Sequence, residues 1–184
     1  DGLSGLNEKR SLGKGEIIRP FLNLSKSDLK IYIEENDLKY VQDDTNLNND
    51  FDRNFLRNEI VPSLEKRWSK LSERAALTSL TAKKKKLSLD FMLEKNFKKE
   101  ISTGIIERAK FIETPSFLIE ELIRLILRKK GIALPSQKVL SEIMNVFFHK
   151  KPSNESYVEW SRKDGEQIGG KVFSEHNDII LKKK

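Results

Sequence analysis

A cluster of acidic, amide and basic side chains lies between positions 43 and 57. Asp43 and Asn46 come first, followed by Arg53, Asn54 and Arg57. Arg53 and Arg57 are four residues apart, so a helix would present both guanidinium groups on one face. They would lie in the first turns after a polar loop, where free backbone N–H groups also attract anions. Two guanidinium groups beside free backbone N–H groups predict contact with a phosphate.

A purely structural role explains the same residues equally well. Asp52 would then cap the helix, and the two arginines would form ion pairs with carboxylates nearby in the sequence. The carboxylates available for those pairs belong to Asp43, Asp44 and Glu59. The residue types alone do not separate this interpretation from phosphate binding.

A short strand, a helix and a loop are predicted to position the cluster. Residues 1–16 are rich in Gly and Ser and are interpreted as a loop, and a strand is predicted over 17–22. Ser25 and Asp28 form a capping pair that opens a helix ending near residue 37. Residues 42–52 are mostly Asp, Asn and Thr, which favour turns. The cluster is therefore predicted at the junction of this loop with the next helix.

Helices dominate the remaining predicted fold. They are expected over 53–68, with a break or two successive helices at Pro62, over 72–98, from Thr114 to Gly131 and from Leu134 to His149. Pro115 is expected in the first turn of the third of these helices, after a cap at Thr114. Apolar residues at helical spacing are predicted to face a core. They are Phe55, Leu56, Ile60 and Leu64; Leu77, Leu80, Leu87 and Phe91; Phe117, Leu118, Leu122, Leu125 and Ile126; and Val139, Leu140, Ile143, Phe147 and Phe148.

The last thirty residues change to an alternating pattern that is typical of strands. Three short strands are predicted over 157–160, 168–173 and 179–181. Turns are predicted at Asp164-Gly165 and at His176-Asn177-Asp178. The fold class that follows is mainly α, closing with a small antiparallel sheet.

Charge is unevenly distributed along the chain. Residues 1–74 hold 13 basic and 14 acidic residues, a net charge of −1, and residues 75–184 hold 22 basic and 14 acidic residues, a net charge of +8. A basic second part predicts contact with a polyanion, although a lysine-rich solvated surface would have the same composition. The run Lys83-Lys84-Lys85-Lys86 points all round a helix, so about two of its four side chains could face one ligand.

Several classes of site are excluded or disfavoured by the composition. The chain has no cysteine and two widely separated histidines, so we expect no disulfide and no metal site within these residues. The lack of cysteine fits a reducing cytoplasm. No apolar run approaches the roughly 20 residues that span a bilayer, so we expect no membrane contact. No Walker, dinucleotide-binding or nucleophile-elbow motif occurs.

The cluster resembles a signature of the tRNA(Ile)-lysidine synthetases, a family of PP-loop ATPases. Asp43-Asp44-Thr45-Asn46, Arg53-Asn54, Arg57 and Pro62 match the family pattern D-x-[ST]-N…R-N-x-x-R…P. Gly2-Leu3-Ser4-Gly5-Leu6 is similar to the end of its glycine-rich segment, and Ile18–Leu22 to its I-R-P-L-L strand. The family's SGGxDS loop, which grips ATP, does not occur here. We therefore expect a fragment that is inactive by itself.

The resemblance implies a fold and a reaction. Residues 1–72 would be the end of a Rossmann-like catalytic domain, and residues 73–184 a helical tRNA-binding domain that ends in short strands. Such enzymes use ATP to adenylate C2 of the wobble cytidine in isoleucine tRNA with a CAU anticodon. The side-chain amine of free L-lysine then displaces AMP and forms lysidine. ATP and Mg²⁺ would be bound mainly by the missing N-terminal part, and a homodimer is left open as the assembly.

The resemblance also implies roles for individual residues. Arg53 and Arg57 would contact phosphate or nucleotide, while Asp43, Asn46 and Asn54 would border the ATP and cytidine site, with Asp43 and Asn54 shaping its loop. Four cations are candidates for contacts with the tRNA backbone: Lys83, Lys84, Arg124 and Arg128. The alternative function is a non-catalytic, basic helical module that binds nucleic acid or protein.

Overall fold

A computed structural model describes residues 5–12, 15–41, 43–153, 155–161 and 168–184, without the side chains of Ser11 and Asp44. The chain divides into two compact units, residues 1–85 and residues 86–184. The boundary between the units falls inside a helix, whereas the predicted domain boundary lies at residue 72. The predicted boundary separates a catalytic part from a tRNA-binding part, and it stays a prediction.

The first unit begins with a two-stranded antiparallel hairpin, β1 (Lys9–Leu12) and β2 (Gly15–Ile18). The sequence predicted one strand in this region and interpreted the residues before it as a loop, so β1 is a correction. The β1 segment is short and polar and lacks the alternation expected of a half-buried strand. Its sequence therefore did not indicate that it pairs with β2. The predicted match at residues 2–4 lies outside the described residues.

Helical segments make up the rest of the first unit. Helix α1 (Lys26–Glu35) is followed by a 3-10 turn, Asp44–Leu47. A continuous helical stretch then consists of α2 (Asp52–Phe55), a π-helical turn (Leu56–Ile60) and α3 (Val61–Arg67). Pro62 lies in the first turn of α3 and the backbone stays helical there, so no break occurs; the predicted alternative, two successive helices, fits the change of helix type at Val61. Proline lacks the N–H that a regular helix would use there.

Helix α4 (Leu71–Asn96) runs from the first unit into the second, close to the predicted range 72–98. Its predicted core face is wrong, because Leu77, Leu80, Leu87 and Phe91 are all exposed. Phe55, Leu56 and Leu64 of the preceding helical stretch are exposed as well. Among the described residues of the first unit, no side chain is fully buried. The stripes therefore have helical spacing but lie exposed.

The second unit has two longer helices beside short elements. After α4 come α5 (Lys98–Thr103), β3 (Ile105–Glu107), α6 (Arg108–Phe111), α7 (Ser116–Lys129) and α8 (Gln137–Met144). A π-helical turn, Asn145–His149, extends α8. Gly131, with φ of +63°, follows the end of α7 as predicted. Pro115, not Thr114, is the N-cap of α7, so the predicted cap is corrected by one residue.

Four antiparallel strands form the sheet of the second unit, in the order β3-β6-β5-β4. Its C-terminal strands are β4 (Tyr157–Trp160), β5 (Gly170–Glu175) and β6 (Asp178–Lys183). The predicted turn between β5 and β6 is confirmed, since His176 and Asn177 have φ of 49° and 72° and form a tight two-residue connection. The other predicted turn, at Asp164-Gly165, lies outside the described residues. β3 was not predicted.

The core lies entirely in the second unit among the described residues. Helix α7 contributes six buried residues and the inner faces of the strands contribute Val158, Val172, Ile179 and Leu181. The buried faces predicted for α7 and α8 are largely confirmed, although Phe117 is 71% exposed. The predicted class, mainly helical with a small antiparallel sheet, is confirmed. No helix in the described ranges is long and apolar enough to cross a membrane.

Candidate functional site

Helix α1 forms one wall of the candidate site. Its start is fixed by Ser25, whose side chain accepts from the Asp28 backbone N–H at 3.0 Å, while the Asp28 carboxylate accepts from the Ser25 N–H at 3.0 Å. The Ser25 side chain also lowers the pKa of the Asp28 carboxyl. The helix begins at this capping box. Lys26 and Lys30 are four residues apart and therefore lie on one side of it.

The loop at 43–50 forms the second wall. Asp43 caps its 3-10 turn by accepting from the Thr45 N–H at 2.9 Å and from the Thr45 hydroxyl at 2.7 Å. These hydrogen bonds, the hydroxyl first, hold the pKa of the exposed Asp43 carboxyl below its ordinary value. The Asn46 side chain donates to the Asp43 carbonyl at 3.1 Å. The loop therefore has a defined shape in which the ionised form of Asp43 is favoured.

Two asparagines of the following helical stretch hold this loop from the other side. The Asn54 amide donates to the carbonyls of Thr45 and Asn48, both at 2.9 Å. The Asn58 amide donates to the Asn46 carbonyl at 3.1 Å and to the Asn49 side-chain oxygen at 2.9 Å. A single amide group has two donors, and each asparagine uses both. These two asparagines together tie the loop to α2 and to the π-helical turn by four hydrogen bonds.

The π-helical turn sets the direction of Arg57. In such a turn the backbone bonds to the residue five positions on, so side chains four apart no longer face one way as in a regular α-helix. Arg57 lies within this turn, while Arg53 lies before it in α2. The two guanidinium groups are therefore not equivalent, although the α-helical spacing of the sequence would suggest that they are.

A cavity of about 420 Å³ lies between these elements. Three cations and one carboxylate, Lys26, Lys30, Arg57 and Asp43, contribute to its lining. The remaining lining residues are apolar, aromatic or amide side chains: Leu29, Ile33, Tyr40, Val41, Asn46, Leu47 and Asn58. Cations from two opposite elements beside an apolar and aromatic wall suit a ligand that has both an anionic group and a flat ring.

Known proteins resemble this chain along nearly its whole length. The family model described as the PP-loop domain matches residues 1–64. The tRNA(Ile)-lysidine synthase of Coxiella burnetii (strain RSA 493 / Nine Mile phase I) is 32% identical over 98% of this chain and 41% of the relative. That of Buchnera aphidicola subsp. Schizaphis graminum (strain Sg) is 34% identical over 85% of this chain and 36% of the relative. This chain belongs to the tRNA(Ile)-lysidine synthase family.

Another relative with the same name, from Legionella pneumophila (strain Lens), is 26% identical over 96% of this chain and 40% of its own length. The chain thus spans about two fifths of the length of the curated relatives it matches. The PP-loop match covers the part of the chain that contains the cavity.

The residues of the lysidine-synthase signature have two kinds of position in the structure. Asp43, Asn46 and Arg57 line the cavity, whereas Asn54 ties its loop and Arg53 is not among the lining residues. The loop-shaping role predicted for Asp43 and Asn54 agrees with their hydrogen bonds. Direct contacts of the five residues with a ligand stay predictions.

The ion pairs of the alternative interpretation do not form with Asp43 or Glu59. Asp43 accepts from Thr45, and the Glu59 carboxylate accepts from the Asn49 amide at 3.2 Å. Among the described side chains, neither Arg53 nor Arg57 has a carboxylate within 4.0 Å. Phe51, not Asp52, is the N-cap of α2. A purely structural pairing with Asp43 or Glu59 therefore does not account for the two exposed arginines, and the side chain of Asp44 lies outside the described residues.

Four residues that line the cavity were not predicted from the sequence: Lys26, Lys30, Tyr40 and Asn58. The two lysines carry a readable signal, since they are four apart on a clearly capped helix. Asn58 could have been suspected because it is four residues after Asn54. Tyr40 carries no local signal, because its place in the lining depends on how the chain folds back before the loop.

The predicted tRNA-contacting residues differ in their surroundings. Arg128 donates to the Asp90 carboxylate at 2.7 Å, and Arg124 has Glu121 at 3.6 Å and Gln137 at 2.8 Å. Lys84 is exposed and Lys83 is half-buried. The two arginines thus have protein partners, which leaves less of their charge for a polyanion.

The described residues do not fit a Mg²⁺ ion. Magnesium demands near-octahedral oxygen ligands, and within the described ranges no three acidic or histidine side chains come together. The Asp43 carboxylate, which lines the cavity, already accepts two hydrogen bonds from Thr45.

Proposed function

We propose that the protein is a ligase that joins L-lysine to the wobble cytidine of isoleucine tRNA with a CAU anticodon, and that this chain contributes one wall of its nucleotide site. The observation that carries the proposal is the cavity that Asp43, Asn46 and Arg57 of the family signature line together with Lys26 and Lys30. The names of the relatives supply the reaction, and the cavity supplies a place for a nucleotide.

The proposed reaction has two steps. The C2 oxygen of cytidine first attacks the α-phosphorus of ATP, and pyrophosphate leaves with the broken P–O bond. The neutral side-chain amine of lysine then attacks C2, the C2–O bond breaks, AMP leaves and the amine loses a proton. Adenylation turns a poor leaving oxygen into a good one. Lysine has to be deprotonated before attack, which requires a base or a desolvated site.

The roles of the lining residues follow from their chemistry. Arg57, Lys26 and Lys30 would hold phosphate oxygens, because they approach the cavity from two elements and Arg57 has no acidic partner among the described side chains. Tyr40, which is 58% exposed, would lie against a flat ring. Arg53, four residues before Arg57, is proposed as a second contact with phosphate from outside the lining.

We also propose that residues 1–72 form the end of a Rossmann-like catalytic domain, and that residues 73–184 bind tRNA. The second unit carries 19 basic and 14 acidic residues, a net charge of +5, which would favour a polyanion. Lys83, Lys84, Arg124 and Arg128 are proposed as backbone contacts, and the two arginines would exchange protein partners for phosphates on binding. Such contacts position the RNA without reading its sequence.

The experiment measures AMP release by the intact gene product with ATP, L-lysine and a transcript of the isoleucine tRNA. We expect release that requires all three substrates. Arg57→Ala should lower kcat/KM by between about 10-fold and about 150-fold, because a charge-assisted hydrogen bond contributes about 1.5–3 kcal/mol. The matched control is Arg10→Ala, an exposed arginine of β1 that does not line the cavity, and it should leave kcat/KM unchanged.

Two outcomes would contradict the proposal in different ways. No AMP release and no lysidine would remove the ligase function and favour the non-catalytic module. Normal turnover by Arg57→Ala would leave the ligase function standing but would show that the cavity is not the nucleotide site.

A further inference from the structure

A second cluster of cations surrounds an exposed tryptophan, away from the cavity described above. Trp68 follows the end of α3 and is 51% exposed. The guanidinium carbon of Arg67 lies 5.5 Å from the centroid of its ring. A surface cavity of about 560 Å³ is lined by Trp68 and its neighbours Arg67, Ser69, Lys70, Leu71 and Arg74. The lining contains three cations and no carboxylate.

Two of the three cations are placed unfavourably for the stability of the free protein. Lys70 immediately precedes α4 and Arg74 lies in its first turn, whereas Arg67 lies in the last turn of α3. Lys70 and Arg74, four residues apart, repel one another, and the positive end of α4 repels both. Within the described part of the chain none of the three cations has a carboxylate within 4.0 Å. An anionic ligand would relieve this repulsion.

The aromatic ring decides which kind of anion fits. A phosphate alone would not use the exposed face of an indole, whereas a nucleotide has a flat base and a phosphate on one unit. Bases stack on aromatic side chains and on guanidinium planes in proteins that bind single-stranded nucleic acid. We propose that Trp68 stacks an unpaired base of an RNA substrate and that Arg67, Lys70 and Arg74 hold the adjacent phosphates.

The position of this surface gives it a function for the proposed reaction, on which the inference rests. Trp68 directly follows the helical stretch that contains Arg57, and eleven residues at about 1.5 Å each separate them by about 16 Å. Stacked nucleotides advance about 3.4 Å each, so about five nucleotides span the interval. Trp68 would therefore hold a base a few nucleotides away from the one that reacts, and would position it without taking part in the chemistry.

An aromatic–lysine pair of the sheet provides a matched control. Tyr157 is 58% exposed, and the Lys171 ammonium nitrogen lies 4.2 Å from its ring centroid. Glu159 lies opposite Lys171 in the register of β4 and β5, and its carboxylate pairs with Lys184 at 3.0 Å. This surface therefore also has an exposed ring and cations, but it contains a carboxylate, which the lining around Trp68 lacks.

The experiment measures binding of a labelled single-stranded RNA of about seven nucleotides to the intact gene product, without ATP or lysine. Trp68→Ala should weaken binding between about 5-fold and about 150-fold, as expected when one base is no longer stacked. Trp68→Phe should restore most of the affinity, whereas Tyr157→Ala should leave it unchanged. Neutralising Arg67, Lys70 and Arg74 to Gln should reduce the slope of log affinity against log salt by about 0.7 for each phosphate that is no longer neutralised.

Tryptophan fluorescence gives an independent measurement. The protein has two tryptophans, and Trp160 is buried, with its ring N–H donating to the Ala133 carbonyl at 2.6 Å. Quenching by RNA should therefore come from Trp68 and disappear in Trp68→Phe. Equal affinity of Trp68→Ala and the unchanged protein would overturn the inference, as would equally tight binding of an acidic peptide. This result is independent of AMP release, so failure of the proposed ligase activity would be seen separately.

Discussion

The two units of this chain are stabilised in different ways. The second unit closes a core of aliphatic and aromatic residues from α4, α7, α8 and the four-stranded sheet. In the described part of the first unit no side chain is fully buried, and its loop is held by side-chain amides, caps and backbone hydrogen bonds. The unit with the candidate nucleotide site therefore depends on polar hydrogen bonds for its shape, whereas the other unit depends on packing.

The largest effect should come from truncating a core residue of the second unit. Leu122 is fully buried in α7, and Leu122→Ala should lower the free energy of unfolding by about 2–5 kcal/mol, because it leaves a cavity. Leu77→Ala is the control on α4, where the side chain is 64% exposed, and its effect should stay within about 0.5 kcal/mol. Denaturant unfolding of both variants measures the difference, and equal destabilisation would contradict the contrast between the units.

A smaller effect is expected from cutting the polar ties of the first unit. Asn54→Ala removes two hydrogen bonds to the loop, which at about 1 kcal/mol each should cost about 2 kcal/mol of local stability. Hydrogen exchange of the amides at 43–50 should accelerate, while exchange in α7 should not change. Asn96→Ala, which removes one bond within its own helix, should leave the loop unaffected. If exchange accelerated throughout the chain, the loop would not be a separately stabilised region.

The smallest effect should appear on acidification. The pKa of Asp43 is lower in the folded chain because Thr45 donates to its carboxylate, so the ionised form stabilises the loop. That contribution is fully present above the ordinary value of 3.8 and is lost as the pH falls through the lower folded pKa. An NMR titration should therefore show Thr45 amide shifts below pH 3.8, and Asp43→Asn should remove the transition. A midpoint above 3.8 would contradict this sign.

Features of the fold that depend on residues close together in the sequence could be predicted. The Ser25–Asp28 capping box, the end of α7 at Gly131, the change at Pro62 and the tight turn after β5 all depend on residues close in sequence. The strand β3 pairs with β6, more than seventy residues later, and contains three residues, so its own pattern was too short to detect.

The candidate site was also predictable only in part, because its geometry depends on more than residue types and spacing. The cluster from Asp43 to Arg57 was visible because its residue types are unusual, but helical spacing could not show that Arg57 lies in a π-helical turn and Arg53 before it. Exposure of Leu77, Leu80, Leu87 and Phe91 could not be predicted either. Periodicity shows that residues share a face of a helix and does not show whether anything covers that face.

The π-helical turn at Leu56–Ile60 has a consequence for how this segment can change in length. Deleting one residue there would restore a regular α-helix and rotate everything on one side of it by about 100° relative to the other. Arg57 and the asparagine ties would then no longer meet the loop at 43–50. Single-residue deletions between Arg53 and Pro62 should therefore be far more damaging than deletions at Asp37–Lys39, where the chain merely connects two elements. Insertions and deletions along this gene should follow that distribution.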